Sequence, residues 1–297
     1  MNEVRTAREL VLWAERELAQ SGAHFGHGTD NPRDEAVLLV FHAAGLPWDA
    51  AEEALSRVLP AAARKRAVEL VQERIRSRKP AAYLTGEAWF CGLRFKIDER
   101  VIVPRSSLGE LIESGFEPWL REPPQRVLEL CTGSGCIAIA CALAFPEAAV
   151  DATDLSDAAL AIARENQELH SVGERLRLHR ADVFEGLPPA RYELIVSNPP
   201  YVGEGEMATL PEEYRHEPRM ALEAAEEGLA IVRRILEGAT DWLASDGLLV
   251  VEVGNSEPLV QQRWPDLPLI WPEFQRGEGG VFIISAQDLR EWRNHRR

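Results

Sequence analysis

The spacing of hydrophobic residues changes along the chain, and the change predicts two kinds of architecture. Up to about residue 82 the apolar positions recur every three or four residues, as at Leu10, Ala14 and Leu18, which is the spacing of amphipathic helices. The predicted helices cover residues 3–20, 34–45, 49–59 and 61–77. Together they predict a small N-terminal helical domain over residues 1–82.

Residues 83–103 instead alternate between apolar and polar side chains, which is typical of β-strands. The alternation predicts a β-hairpin that turns near Cys91-Gly92 and links two domains, the linker covering residues 83–105. A helix is expected over residues 107–116.

From Arg126 onward, short apolar runs alternate with segments of helical spacing. The predicted strands cover residues 126–130, 149–154, 176–180, 194–197, 247–252 and 280–285. The predicted helices cover residues 135–145, 156–170, 228–243 and 258–264. Such alternation predicts an α/β fold with a parallel sheet covered on both faces, here over residues 106–297.

Charge and composition narrow the classes of partner. The formal net charge is −15, yet the first 80 residues carry 12 basic and 12 acidic side chains, so the whole excess lies in the remainder. Such a field repels nucleic-acid phosphates and attracts basic proteins, although solubility alone could also explain it. The basic residues 64–79 are better explained as a solvated helix surface than as an RNA-binding patch.

Other compositional features exclude several classes. Apolar runs of 18 residues are absent from the sequence, so no membrane span is predicted, and the polar N-terminus favours a cytoplasmic protein. The four cysteines contain no Cys-x-x-Cys pair, so we predict no metal site.

A glycine-rich turn follows the strand that ends with Glu129-Leu130. Cys131-Thr132-Gly133-Ser134-Gly135 leads from that strand into a helix of small residues. Glycines let the backbone approach a ligand closely, and the helix N-terminus offers free N–H groups. The strand–turn–helix context makes this motif a candidate nucleotide-cofactor loop.

Two acidic residues follow the next strands. Asp154 ends the second strand, about 20 residues after the glycines, where a carboxylate can accept hydrogen bonds from ribose hydroxyls. Asp182 follows the third strand and is placed to meet an adenine amino group, unless it serves as a turn or cap. Phe184 could line an adenine pocket, but a core position is at least as plausible. These features fit adenosine recognition.

The motif Asn198-Pro199-Pro200-Tyr201 follows the fourth strand and decides between cofactors. The motif alone could be a strand-ending turn. Beside a cofactor loop, however, an amide side chain, a proline-fixed carbonyl and an aromatic ring can grip a planar amide or amino group. Such a grip suits methyl transfer from S-adenosylmethionine better than hydride transfer with NAD.

Taken together, the cofactor loop and Asn198-Pro199-Pro200-Tyr201 resemble those of the HemK-type glutamine methyltransferases. Val103-Pro104-Arg105-Ser106, His27-Gly28-Thr29-Asp30-Asn31-Pro32 and the segment 210–218 resemble the PrmB-type branch. Ser107 departs from the expected proline. The resemblance covers about residues 4–286.

This resemblance implies a Rossmann-like domain that uses S-adenosylmethionine to methylate a glutamine amide in the large-subunit ribosomal protein L-three. The implied catalytic residues are Asn198, Pro199, Pro200 and Tyr201. The implied cofactor-binding residues are Glu129, Cys131, Gly133, Gly135, Asp154, Leu155, Asp182, Val183 and Asn198.

Three alternatives stay open at this point. The same chemistry could act on the Gly-Gly-Gln loop of release factors, or an adenine amino group in nucleic acid could be the acceptor. A third alternative is a non-catalytic cofactor sensor. The N-terminal domain is expected to recognise the substrate, and the glutamate-rich segment 203–227 is expected either to capture a basic protein electrostatically or to form a solvated lid.

Overall fold

The computed structural model describes residues 5–47, 52–276 and 279–295. The chain divides into two compact units. The first runs through Ala88 and includes Ile97–Glu99 and Pro211–His216, and the second comprises Trp89–Lys96, Arg100–Leu210 and the chain from Glu217 onward. The domain bounds at residues 82 and 105 stay predictions.

The first unit is helical, as its periodicity predicts. Its helices are α1 (Ala7–Gln20), α2 (Pro32–Ala44), α3 (Glu52–Leu55), α4 (Ala61–Ser77) and α5 (Ala81–Thr85). α1 begins with a capping box in which Thr6 and Glu9 each accept the other's backbone N–H. Leu10, Ala14 and Leu18 are buried in the core of this unit. The starts predicted at residues 3 and 49 lie outside the described residues.

The predicted hairpin is confirmed but shorter. β1 (Glu87–Phe90) and β2 (Leu93–Lys96) form a two-stranded sheet. The turn lies at Cys91 and Gly92, with φ of 49° and 70°. Positive φ at both central residues matches the twist of a two-residue hairpin.

The second unit is built on a six-stranded sheet. Its strands are β3 (Arg126–Leu130), β4 (Ala149–Asp154), β5 (Leu176–Arg180), β6 (Tyr192–Ser197), β7 (Leu243–Glu252) and β8 (Val281–Ser285). Its helices are α6 (Leu108–Glu113), α7 (Cys136–Ala144), α8 (Asp157–Leu169), α9 (Glu204–Met207), α10 (Arg219–Leu222), α11 (Ala230–Gly238), α12 (Glu257–Arg263) and α13 (Ala286–His295). The α/β Rossmann-like fold expected from the sequence is confirmed.

The strand order is β5-β4-β3-β6-β7-β8, so β3, the first of these strands in the sequence, lies in the middle of the sheet. β3 lies between β4 and β6 and is parallel to both. β4 and β5 therefore extend the sheet on one side of β3, and β6, β7 and β8 extend it on the other. A crevice opens at the carboxyl ends of the strands at such a point, and ligands of this fold class bind there.

The expectation of an all-parallel sheet is wrong at one edge, because β8 runs antiparallel to β7. The chain leaves β7 and returns to the same end of the sheet, where the N–H groups of Val253 and Gly254 donate to the carbonyl of Gly280. A strand that starts at the carboxyl edge must run back through the sheet. α13 follows β8 and was not predicted.

A search of the described residues found no helix that combines the length and hydropathy needed to cross a membrane.

Candidate active site

The glycine-rich turn adopts the backbone that its sequence requires. Cys131, Gly133 and Gly135 all have positive φ, of 60°, 55° and 81°. A Cβ on Gly135 would lie 3.2 Å from the Cβ of Ala163 in α8, so glycine also permits close packing of the two helices. α7 begins immediately afterwards, at Cys136. The turn therefore presents backbone N–H groups at a helix N-terminus, as the cofactor-loop prediction requires.

Glu129 is a fully buried carboxyl group beneath this turn. Its Oε2 accepts the Ala138 N–H at 2.9 Å and also the Thr132 hydroxyl. Its Oε1 is buried and has no hydrogen-bond partner among the described residues. Burial raises the pKa of Glu129 to about 8, against the hydrogen bonds from Thr132 and Ala138 that lower it. A buried oxygen without a donor costs free energy, so the site is suited to a ligand that brings a donor or a positive charge.

Asp154 joins the end of β4 to the glycine turn. Its Oδ2 accepts the Gly133 N–H at 2.9 Å, and its Oδ1 accepts the Ser156 N–H at 2.8 Å. Burial raises the pKa of Asp154, although these two N–H groups oppose the shift. Leu155, the next residue, is 49% exposed, which is high for a leucine. The pair therefore gives the crevice a positioned carboxylate beside an open apolar side chain, as a ribose and an adjoining base would need.

Asp182 is held by a residue that the sequence analysis did not identify. Arg234, on α11, donates from Nη1 to Asp182 Oδ1 at 2.7 Å and from Nη2 to the Asp182 carbonyl at 3.3 Å. Val183 follows with a positive φ of 58° and is buried. Arg234 thus fixes the carboxylate that was assigned to the adenine amino group. It could not be found from sequence because it lies 52 residues away, on a helix read only as amphipathic.

Phe184 occupies the core position that the sequence analysis left open. Its ring stacks on Trp242 with centroids 5.7 Å apart. A Cβ on Gly238 would lie 2.6 Å from the Phe184 ring, so the ring packs directly against α11. These contacts engage the ring in the core of the second unit.

Asn198-Pro199-Pro200-Tyr201 begins where β6 ends. Ser197 pairs with Leu130 in the register of β3 and β6, and its hydroxyl donates to the Leu130 carbonyl at 2.9 Å. The motif therefore starts beside the first residue of the glycine turn. Asn198, Pro200 and Tyr201 are partly exposed, whereas Pro199 is buried.

The register of the sheet brings most predicted residues to one edge. Leu130 pairs with both Thr153 and Ser197, and Asp154 pairs with Arg180. The residues that follow the carboxyl ends of β3, β4, β5 and β6 consequently converge there. They comprise Cys131, Gly133, Gly135, Asp154, Leu155, Asp182, Val183, Asn198, Pro199, Pro200 and Tyr201, with Glu129 directly below.

The segment Val103-Pro104-Arg105-Ser106 is fixed by two buried carboxylates. Arg105 donates to Glu217 through Nη1 at 2.6 Å and Nη2 at 2.7 Å, and the Val103 N–H donates to the same carboxylate at 2.9 Å. Ser106 donates to Glu252, whose pKa is raised to about 7 by burial despite that hydrogen bond. The contact between Arg105 and Glu217 was not predicted from the sequence.

The expectation for the glutamate-rich segment 203–227 is wrong for two of its members. Glu213 and Glu217 are buried and engaged, Glu213 with Arg74 at 3.1 Å and Glu217 with Arg105. Arg74 was read as part of a solvated basic face, yet it is 1% exposed and belongs to the core of the first unit. Helical spacing could not reveal this, because its partner is 139 residues away.

Comparison with known proteins gives matches of three kinds. The model of the methyltransferase small domain matches residues 117–214. The chain is 48% identical over 294 residues to the ribosomal protein uL3 glutamine methyltransferase of Burkholderia pseudomallei, with 96% of each chain covered. It is 45% identical over 290 residues to the enzyme of the same name from Bordetella pertussis, with 97% of each covered. A methyltransferase structure from Pyrococcus furiosus shares 22% identity over 72% of this chain and 97% of its own, with a TM-score of 0.49.

The fold and the site define a methyltransferase of the Rossmann-like class that uses S-adenosylmethionine as methyl donor. Over nearly its whole length the chain matches one group of these enzymes. It belongs to the family of the ribosomal protein uL3 glutamine methyltransferases, which confirms the branch indicated by the sequence motifs.

Proposed function

We propose that this protein transfers a methyl group from S-adenosylmethionine to the side-chain amide nitrogen of a glutamine in ribosomal protein uL3. The observation that carries the proposal is the adjacency of Asn198-Pro199-Pro200-Tyr201 to the glycine turn, fixed by the pairing of Ser197 with Leu130. An amide grip and a cofactor loop then share one edge of the sheet.

The cofactor would be held by residues on three strand ends. Glu129 Oε1 has no hydrogen-bond partner in the described part of the chain. This oxygen and the N–H groups of the glycine turn suit the charged amino-acid portion of the cofactor. Asp154 would accept hydrogen bonds from the ribose, and Asp182 from the adenine amino group. When bound, the cofactor supplies a sulfonium methyl that is already activated for transfer. Cys131, Leu155 and Val183 would line the same pocket.

The acceptor amide needs orientation more than deprotonation. A glutamine nitrogen is a poor nucleophile because its lone pair is delocalised into the carbonyl. The side-chain oxygen of Asn198 and the carbonyl of Pro199 would accept the two amide N–H bonds and so fix the face of the nitrogen. Pro200 stiffens the loop, and Tyr201 would flank the amide plane. Orientation of this kind can lower a barrier by roughly 7–11 kcal/mol in favourable cases.

The choice of a protein acceptor over a nucleic acid is supported by the charges. Two basic side chains in and after α4 are engaged with the chain itself: Arg66 of α4 donates to the Ala43 carbonyl, and Arg78, which follows α4, donates to the Ser21 carbonyl. Lys79 pairs with Glu99 at 3.0 Å. The formal charge of the chain is −15. A nucleic-acid enzyme needs a basic channel and a pocket for a flipped base, and these engaged residues do not provide one.

Recognition of the substrate is assigned to the N-terminal helical domain (residues 1–82) and to the exposed acidic residues that remain in segment 203–227, such as Glu204, Glu212 and Glu227. These carboxylates would attract a basic ribosomal protein over a short range. Added salt should then slow association.

Replacement of Asn198 tests the proposal. Asn198→Ala should abolish methylation of purified uL3 while the affinity for S-adenosylmethionine, measured by calorimetry, stays within about three-fold, because the lost contact is to the acceptor. Asn294→Ala is the matched control, since Asn294 is exposed on α13. Near-normal turnover by Asn198→Ala would refute the assigned role.

A further inference from the structure

The ring of Tyr201 lies against a glycine of the neighbouring strand end. A Cβ added to Gly254 would lie 2.8 Å from Cε2, 2.9 Å from Cζ and 3.0 Å from the hydroxyl oxygen of Tyr201. Real Cβ atoms essentially never approach ring atoms so closely, so a side chain at position 254 requires the ring or the backbone at position 254 to shift. Gly254 also has a positive φ of 46°, which glycine adopts without strain.

A second glycine lies behind the first. A Cβ on Gly280 would lie 2.2 Å from the carbonyl oxygen and 2.6 Å from the Cα of Gly254. The Gly280 carbonyl accepts the N–H groups of Val253 at 2.7 Å and Gly254 at 3.1 Å. Gly280, Gly254 and the Tyr201 ring therefore form three layers in direct contact, and the strand that begins at Val281 anchors the lowest layer.

The backbone of Tyr201 is fixed independently of its ring. Its carbonyl accepts the Ser256 hydroxyl at 2.9 Å, and a Cβ on Gly228 would lie 2.1 Å from the same oxygen. The next residue, Val202, donates to the Leu222 carbonyl and accepts the Ala224 N–H. These contacts hold the main chain at Tyr201 and oppose a compensating shift of the loop.

We propose that Gly254 and Gly280 are positioning residues for methyl transfer, because together they set how deeply the Tyr201 ring sits at the edge of the acceptor site. The inference rests on the proposed function, in which Tyr201 flanks the acceptor amide. A side chain at position 254 would push the ring toward the space of the amide and misplace the nitrogen. The three atoms nearest to an added Cβ belong to Tyr201 for Gly254 and to Gly254 for Gly280.

Gly254→Ala is the direct test, and Gly279→Ala is its matched control. Gly279 has a positive φ of 83° but nothing within 4 Å of an added Cβ, so its substitution carries the backbone strain without the contact. Gly254→Ala should lower kcat for uL3 methylation by about 10- to 100-fold, the effect expected for a misplacement near 1 Å. The affinity for S-adenosylmethionine should change less than about three-fold, and Gly279→Ala should keep its kcat.

A double-mutant cycle with Tyr201→Ala shows whether the effect passes through the ring. In the Tyr201→Ala background, Gly254→Ala should cause no further loss of residual kcat, because there is no ring to displace. Additive losses, or equal kcat values for Gly254→Ala and Gly279→Ala, would overturn the inference.

The same double-mutant cycle can be built from free energies of unfolding in urea, which require no activity assay. Coupling between positions 254 and 201 in stability would support the contact even if uL3 were not the substrate, so failure of the inference and failure of the proposed function are distinguishable. If Gly254→Ala unfolds too easily to assay, the Gly254→Ala/Tyr201→Ala double variant, which removes the clash, should recover wild-type-like cofactor affinity. Absence of that recovery would count against the inference.

Discussion

Replacement of Arg74 should strongly lower the free energy of unfolding. Its side chain is 1% exposed and is paired with two carboxylates, Glu35 at 2.8 Å and Glu213 at 3.1 Å. A third donor, Nη2, reaches the His24 carbonyl at 2.7 Å. Arg74→Met would keep most of the apolar volume and remove the cation from Glu35, whereas Glu213 would keep only its longer contact with Arg78 at 3.6 Å. Removal of one member of a buried ionic network costs about 3–5 kcal/mol.

The chain supplies a control on the same helix. Arg76 lies two residues further along α4 and pairs with Glu73, but its side chain is 78% exposed. An exposed ion pair contributes about 0–1 kcal/mol, so Arg76→Met should be nearly neutral. Urea unfolding followed by circular dichroism measures both variants. A loss below 1 kcal/mol for Arg74→Met, or equal losses for the two variants, would refute the assignment of a buried network.

The pH dependence of this loss has a definite sign. Burial raises the pKa of Glu35, and Arg74 opposes the shift. At Glu213, burial also disfavours the charge, but hydrogen bonds from the His24 N–H and from Arg74 outweigh it and lower the pKa. Without Arg74 both carboxyl groups should bind protons more readily in the folded state. The deficit of Arg74→Met should therefore be smaller near pH 5 than near pH 8.

Three further changes test the cofactor edge. Asp154→Ala should weaken S-adenosylmethionine binding by about 10- to 100-fold, since a lost hydrogen bond to a charged group costs about 1.5–3 kcal/mol; calorimetry showing unchanged affinity would exclude it as the ribose partner. Arg234→Leu should weaken the same binding by a smaller factor, because it frees Asp182 instead of removing it, and it should leave kcat at saturating cofactor unchanged. Glu129→Gln should flatten the pH profile of the free energy of unfolding. The pKa of Glu129 in the folded protein, about 8, lies above the ordinary 4.5. The contribution of this carboxyl group to stability is therefore full below about pH 4.5 and is lost as the pH rises to about 8. An unchanged profile would show that Glu129 is ionised in the folded protein.

The parts of the fold that depend on local pattern could be predicted from the sequence. β3 and β4 match their predicted bounds, and each is a short segment that ends at a turn. The turn at Cys91 and Gly92 could be predicted because two segments of alternating apolar and polar residues flank it. The positions of Gly133, Asp154 and Asn198 at one edge follow from the rule that parallel strands end together.

Contacts between distant residues could not be predicted, because neither partner carries a local sign of the other. In the sequence, Arg74 and Glu213 each have polar neighbours like those of a surface residue. Only the folded chain shows that both are buried. Arg105 and Glu217 are likewise 112 residues apart, and neither carries a local sign of the other. The direction of β8 depends on where the preceding loop returns, which hydrophobic spacing does not encode.

The central claim is that uL3 is the acceptor, and a direct comparison of substrates tests it most sharply. Purified protein would be incubated with S-adenosylmethionine and one acceptor at a time: unmethylated uL3, an unmethylated release factor or DNA. Each product would then be analysed by peptide or nucleoside mass spectrometry. The account predicts the mass of one methyl group on a single glutamine of uL3, absent with Asn198→Ala. Methylation confined to the release factor or to adenine, with uL3 unmodified, would contradict it.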